Sequence, residues 1–339
     1  MRIRFITSTP LDIRRGSGTY AGIHALAEAL RKLGHNVTYE TPRRHFPNYT
    51  LERLAFNHSL ERSTGFDLTV GFDMDGYRIA SGAAHVASLK GVIADEMRYE
   101  SGLTRLTMRI QARWERLHVN RAARVLATSR YSGERAMEFY GLREMPVIVP
   151  ELIDLGEWRR ILAEHPAQRS GFGVLFVGRF YHRKRVPVLL RAAAMLRERL
   201  PELHVRIAGN GPCNAAWRAL ARELQLDGVV TWLGDISRAQ LAEEYNRADV
   251  FCLPSVQEGF GIVLLEAMAA GIPVVGSRAA AIPEVAPHGV LVEPDNAEAL
   301  AAGMERAFQS PPAPSDWVER FDAPLVARRF LDAVSGVFR

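Results

Sequence analysis

Cysteine is nearly absent from this 339-residue chain. The two present, Cys213 and Cys252, lie too far apart for a metal-binding pair and are too few for a disulfide framework. A reducing compartment follows as the expected location, the cytoplasm. No run of 18 apolar residues occurs, which argues against a membrane-spanning helix, and the opening Met1-Arg-Ile-Arg-Phe-Ile-Thr7 is too short an apolar stretch for a secretion signal. Solenoid-type repeats are missing, and low complexity is confined to Pro311-Pro-Ala-Pro314. What remains, 47% hydrophobic and 24% charged residues, is enough for a sizeable core, at a length that suggests two domains.

Charge is unevenly spread. Residues 1–150 carry 22 basic and 15 acidic side chains, a net +7, and the rest of the chain a net −2. The first half therefore either meets something anionic or presents a solvated basic face. A predicted helix over Leu103 to Asn120 sharpens the choice. Leu103, Leu106, Ile110, Trp114 and Leu117 share one face, and Arg105, Arg109, Arg113 and Arg116 form a stripe beside it. One reading packs the apolar face on the core and leaves a cationic edge in water. The other sets the stripe on an anionic membrane surface or a lipid-linked phosphate.

Hydrophobic periodicity predicts a strand over residues 2–8, a glycine-containing loop (Gly16-Ser17-Gly18), a helix from about Tyr20 to Leu33 and a second strand over His35 to Glu40. Further strands are expected at Asp67–Phe72, His85–Leu89, Arg124–Thr128 and Pro146–Val149. Glu151 to Ser170 reads as a connecting stretch. The pattern then restarts at Val174-Leu-Phe-Val-Gly178, with strands at Leu203–Ala208, Val229–Leu233, Asp249–Leu253, Pro273–Gly276 and Val290–Val292. Strands alternating with helices imply parallel sheets covered on both faces, and two such units would bind ligands at the carboxyl ends of their strands.

Two segments carry the chemistry. In Pro254-Ser-Val-Gln-Glu258-Gly259-Phe260-Gly261-Ile262-Val263-Leu-Leu-Glu266, a strand ends, a loop turns and a helix opens near Gly261, so that unpaired backbone amides at the helix opening form an anion site. Glu258 and Glu266 are placed to accept hydrogen bonds from ligand hydroxyls. In Gly178-Arg179-Phe-Tyr-His182-Arg183-Lys184-Arg185, Arg179 and Lys184 follow the first strand of the same domain and suit a diphosphate. The short basic run His182 to Arg185 lacks the interleaved aromatics of a nucleic-acid surface, and no nucleic-acid partner is expected.

With these segments, together with Gly34-His35, Ala208-Gly209-Asn210-Gly211-Pro212, Leu233-Gly234, Ala248-Asp249 and Gly271-Ile-Pro273, the chain resembles the retaining nucleotide-sugar glycosyltransferases of family 4. The resemblance implies an α/β fold of GT-B architecture, two facing Rossmann-like domains with doubly wound parallel sheets. Residues 1–155 would be the acceptor-binding domain, with a last helix over 323–339 packing back on it, and residues 170–320 the donor-binding domain. It further implies that Glu258 contacts the transferred sugar and Glu266 the ribose, that Arg179 and Lys184 bind the diphosphate, and that Gly178, Asn210 and the Gly16 to Gly18 loop approach the donor. Partners would be a nucleotide-diphosphate sugar as co-substrate and a saccharide or lipid-linked acceptor, with peripheral contact at the inner membrane face and no cofactor.

The chain departs from that family at three points. The histidine expected after the fourth strand is replaced near Lys90-Gly91, the lysine at 184 is followed by Arg185 where the family has glycine, and Glu151-Leu152 stand where Asn-Gly is usual. Lys90 is expected to assist the reaction in the histidine's place. Asp73-Met-Asp75 could hold a divalent cation, but its position assigns it to hydroxyls of the acceptor. Electrostatics from Arg179, Lys184 and the helix amides make a metal unnecessary. Two alternatives stay open: an NAD-dependent oxidoreductase, on Gly16-x-Gly18-x-x-x-Gly22 with Glu40, and a non-catalytic GT-B binding protein.

Overall fold

The computed structural model describes residues 1–10, 18–43, 45–63 and 65–337. The chain divides into two units, Met1–Leu152 with Ala323–Arg339, and Ile153–Asp322.

In the first unit the order is β1 (Arg2–Ile6), α1 (Gly18–Lys32), β2 (Asn36–Glu40), α2 (Tyr49–Ser59), β3 (Leu68–Phe72), β4 (Gly82–Leu89), α3 (Ile93–Glu96), α4 (Gly102–Val119), β5 (Ala122–Ala127), α5 (Arg130–Tyr140) and β6 (Val147–Ile148). The strands form one parallel sheet in the order β2-β1-β3-β4-β5-β6. The alternate residues Ile3, Phe5, Leu68, Val70 and Phe72 share one face of this sheet and are fully buried, and Phe5 meets Phe72 edge-on at 5.0 Å.

The second unit runs α6 (Leu155–Glu164), β7 (Phe172–Val177), α7 (Val186–Leu196), β8 (Leu203–Ala208), α8 (Asn214–Glu223), β9 (Val230–Gly234), α9 (Arg238–Arg247), β10 (Val250–Leu253), α10 (Ile262–Ala269), β11 (Val274–Ser277), α11 (Ile282–Val285), β12 (Val290–Val292), α12 (Ala297–Phe308) and α13 (Ser315–Glu319). Its parallel sheet has the order β12-β11-β10-β7-β8-β9. Strand succession therefore reverses between β7 and β10, and in the first unit between β1 and β3. Such switch points open a crevice beyond the carboxyl ends of the two strands, which is where open α/β sheets take ligands.

The chain then re-enters the first unit as α14 (Ala323–Val334). Its Val326, Ala327, Phe330 and Val334 share one core with Ile23, Leu26, Ala27 and Leu30 of α1. Arg124 of β5 also donates to the Ala333 carbonyl at 2.7 Å.

Two elements correct the sequence reading. The stretch 151–170 is not merely a connection: it holds α6, with Asp154 accepting from the Glu157 amide and Trp158 wholly buried. Likewise α13 stands between the proline-rich tract and the last helix.

α4 divides the two readings left open for it. Its buried residues are Gln111, Ala112, Glu115, His118 and Val119, whereas Leu103, Leu106 and Ile110 are 71%, 57% and 41% exposed. Ala112 and Val119 join the core, while Gln111, Glu115 and His118 close a buried hydrogen-bond network; of the apolar stripe, Leu103, Leu106 and Ile110 are left outside, whereas Leu117 and Trp114, stacked on Tyr77, are half-buried.

Candidate active site

The β7–β10 switch point of the second unit gathers both segments singled out in the sequence. Beyond β7, a single 3-10 turn at His182–Lys184 brings Lys184 to Glu258, Nζ to Oε1 at 2.5 Å, both side chains about a tenth exposed. The Val256 amide donates to the Arg183 carbonyl at 2.9 Å, so the turn and the loop after β10 are tied through backbone as well. Arg179, half-buried two residues past β7, makes no side-chain hydrogen bond or ion pair among the described residues.

Gly261 caps α10 with φ +90°, a region that glycine alone enters without strain. The helix that follows is apolar and buried at Leu264, Leu265, Ala267 and Met268, and its first turn, Ile262 and Val263, stays partly open. The amides of that turn have no intrahelical partner and carry the positive end of the helix dipole. Gly259 and Gly261 are likewise partly open, while Phe260 is buried edge-on against Phe321. Two polar atoms in the same loop, Ser255 Oγ and Gln257 Oε1, are buried without a hydrogen-bond partner.

Glu266 lies one turn farther in. Burial raises its pKa, partly offset by the Arg238 guanidinium 3.6 Å from Oε1 and by the Tyr245 hydroxyl donating to Oε2 at 3.1 Å. Trp158 of α6 donates to the Glu266 carbonyl at 3.1 Å and lies under the Arg238 guanidinium. Arg238, Tyr245 and Trp158 were not singled out in the sequence. The available signals were the Ser237-x-x-Gln240 capping box that sets Arg238 at the first position of α9, and the Asp154 cap before Trp158.

The glycine motif after β8 has a packing cause. Gly209 has φ +122°, and a Cβ there would stand 2.0 Å from the Gly178 carbonyl oxygen. Asn210 Oδ1 accepts from the Gly211 amide and from Asn214, so the side chain holds its own turn. Arg185 takes the left-handed conformation, φ +52°, which accounts for the family's glycine there; an ion pair with Asp295 accompanies it.

At the β1–β3 switch point of the first unit the expected residues behave differently. Gly16 and Ser17 lie outside the described residues, and Gly18 opens α1. Asp75 is wholly buried: Oδ2 accepts from the Ser8 amide and hydroxyl at 2.7 Å and from Arg53 at 3.3 Å, and Oδ1 accepts from Asn57 at 2.9 Å. Those bonds occupy the carboxylate, so Asp75 holds the loop together and does not face an acceptor. Asp73 stays half-buried in a left-handed turn, φ +53°. Its Oδ1 accepts from the Lys90 amide at 2.8 Å, and burial pushes its pKa up to about 6.

Lys90 and Glu151, two of the departures from the family pattern, are each other's partner. Lys90 Nζ lies 3.0 Å from Glu151 Oε2, and both side chains are 6% exposed. A Cβ on Gly22 of α1 would stand 2.1 Å from that same oxygen, so Gly22 serves this carboxylate and not a cofactor. His85 is buried too, Nε2 to Nε2 at 2.8 Å from His118, whose Nδ1 lies 2.5 Å from the Asp73 carbonyl. Glu40, the acid of the dinucleotide alternative, pairs with Arg4 beside a cavity of about 690 Å³ that Phe46, Arg62 and Phe66 help to line.

Two doubly wound units, the second with an anion-ready switch point, define a two-domain Rossmann-like protein of the GT-B class. Over essentially its whole length the chain superposes on sucrose-phosphate synthase from Thermosynechococcus elongatus (TM-score 0.75, 21% identity, 100% of this chain and 95% of that one). It superposes equally completely on Anabaena HepE crystallised with UDP and glucose (TM-score 0.71, 18% identity, 99% of each). These likenesses concern the fold.

Residues 159–321 match the family described as glycosyl transferases group 1. The matched stretch lies in this second unit and is a little under half of the chain. A D-inositol 3-phosphate glycosyltransferase of Pseudarthrobacter chlorophenolicus is 32% identical over 208 residues, 57% of this chain and 49% of that protein. The match thus spans about half the length of that curated relative. No helix among the described residues is long and apolar enough to cross a membrane.

Proposed function

We propose that the chain is a retaining, metal-independent glycosyltransferase that moves a hexosyl group from a nucleotide-diphosphate sugar to a hydroxyl of a saccharide or lipid-linked acceptor. The observation that carries this reading is the meeting of Lys184 with Glu258 beside the open first turn of α10, with Arg179 unpartnered at the end of β7. Cleaving the bond between the sugar and the diphosphate builds negative charge on the leaving phosphate. Arg179, Lys184 and the α10 amides are fixed donors for that charge, the service a metal would otherwise supply.

In this reading Glu258, held by Lys184, accepts from hydroxyls of the transferred sugar, and Glu266 from the ribose, with Arg238 and Tyr245 keeping its carboxylate in place. The unpaired Ser255 and Gln257 oxygens support a site that receives further hydroxyl donors. Retention is read as same-face attack, in which the leaving phosphate oxygen takes the acceptor's proton. The first unit supplies the acceptor side, with Asp73 at its switch point. Lys90, committed to Glu151, acts by positioning the strand ends. The protein works in the cytoplasm, peripherally at the membrane face where its acceptor is lipid-linked.

The dinucleotide alternative loses its support, since Gly22 and Glu40 are engaged by Glu151 and Arg4. The test is a thermal shift against UDP-, GDP- and ADP-sugars, followed by donor turnover in EDTA. A ligand at 100 times its Kd stabilises by about 2.7 kcal/mol. No shift from any sugar nucleotide sinks the reading, and turnover abolished by EDTA and restored by Mn²⁺ sinks its metal-free part.

A further inference from the structure

We infer that the exposed face of α4, with the start of α2 beside it, is a docking surface for an anionic lipid bilayer. The inference deepens the lipid-linked side of the acceptor reading, but its test requires no donor. The buried side of α4 is settled by contacts: Gln111 with Thr50 and Arg53 of α2, Glu115 with the Ile93 amide, and His118 with His85 and the Asp73 carbonyl. The other side carries Leu103, Leu106 and Ile110, all exposed. Next to them Arg105, Arg109, Arg113 and Arg116 are exposed and take part in no ion pair or side-chain hydrogen bond among the described residues. The only acid of the helix, Glu115, is on the buried side.

A solvated helix face usually mixes signs or avoids large aliphatics; this one has four positive charges, no negative one, and three branched aliphatic side chains in water. That is the composition of a helix lying in a bilayer interface, aliphatics toward the acyl chains and guanidinium groups at the lipid phosphates. Leu51 in the first turn of α2 is also exposed, on the helix that Thr50 and Arg53 tie to α4. A nucleic-acid surface would instead pair its cations with stacking aromatics, and the apolar strip of α4 is aliphatic.

Position adds to composition. Glu115 and His118 already reach residues that follow the carboxyl ends of β4 and β3. At about 1.5 Å per residue, Leu103 lies roughly 18 Å farther along the axis. The exposed half of α4 therefore stands at the carboxyl rim of its sheet, the rim where this unit would receive an acceptor, so a bilayer against α4 would present a lipid-linked hydroxyl on the working side.

The experiment is co-sedimentation of the full chain with vesicles of phosphatidylglycerol and phosphatidylcholine, against phosphatidylcholine alone, at low and at physiological salt. Binding to the anionic vesicles only, weakened by salt, is expected. Replacing all four arginines by glutamine should lower the partition several hundred-fold, at roughly five-fold for each charge. Leu103→Ser with Leu106→Ser should lower it about a hundredfold, with circular dichroism and the thermal shift by UDP unchanged in both variants. No binding to anionic vesicles overturns the inference, as does binding that survives both sets of substitutions. A concentration-dependent dimer that shields Leu106 would assign the face to a second copy and overturn it too. Vesicle binding without any nucleotide shift would leave the docking surface standing and break the proposed transfer activity instead.

Discussion

Lysine occurs three times in this chain, against 40 arginines, and two of the three, Lys90 and Lys184, are buried against a glutamate just past the end of a parallel strand. The two pairs match in distance and burial and differ in their surroundings. Around Lys184–Glu258 stand an unpartnered Arg179, the open turn of α10 and two unpaired buried oxygens. Around Lys90–Glu151 everything is closed: Gly22 leaves no space for a Cβ, and the Phe72 ring lies beneath the ammonium group. Equal chemistry thus serves two ends. In the proposed reading, a Lys–Glu pair next to unspent donors takes an anion with hydroxyls, and a pair with no unspent neighbours holds strand ends in place.

The comparison breaks most easily at Arg179. Because it has no side-chain partner, Arg179→Ala should leave the melting temperature within a degree or two while transfer falls ~10²–10³-fold, the usual cost of removing one preorganised donor; wild-type turnover would end the site assignment. On the other side, Lys90→Met should cost about 3 kcal/mol in denaturant unfolding, because it strands a buried carboxylate, and the double variant with Glu151→Gln should cost clearly less. If the double variant folds normally but has no transferase activity, Lys90 is more than a positioning residue.

An effect spread over pH acts on the first unit, which holds His118. Burial lowers the His118 pKa to about 4. Between about 6.5 and 4 the unfolded chain therefore binds a proton that the native histidine refuses, and stability is lost as pH falls through that window. Asp73, raised to about 6, acts in the opposite sense over part of it. The clean measurement is a difference: relative to His118→Gln, the natural chain should lose up to about 1.4 kcal/mol per pH unit between those limits. Parallel unfolding curves would contradict the assignment. Smallest is Arg185→Gly, where relief of the left-handed strain offsets loss of the Asp295 pair, leaving a change within about 1 kcal/mol.

Much of the fold was legible. The twelve strands among the described residues fall in the segments read as strands; Val250–Leu253 is a continuous hydrophobic run, as a parallel sheet covered on both faces demands, whereas Asn36–Glu40 at the sheet edge is mostly polar, and the helix starts near Tyr20 and Gly261 follow from turn chemistry. Less legible were α6 and α13, short helices whose few apolar residues give a weak period. In the site, Arg179, Lys184, Glu258 and Glu266 could be found because they cluster in two segments. Arg238, Tyr245 and Trp158 could not, since each comes from a different helix and meets Glu266 only in three dimensions.

The amino-acid order by itself determined the two parallel sheets, their strand ends and the residue types assembled there, because periodicity and turn residues are local properties. Only the tertiary structure decided which of those residues are consumed and which are left with unmet hydrogen bonds and charge. Asp75 and Lys90 look as available in sequence as Arg179, and the apolar stripe of α4 looks like core. Partner geometry and burial arise from contacts between segments tens of residues apart, and no local pattern encodes them.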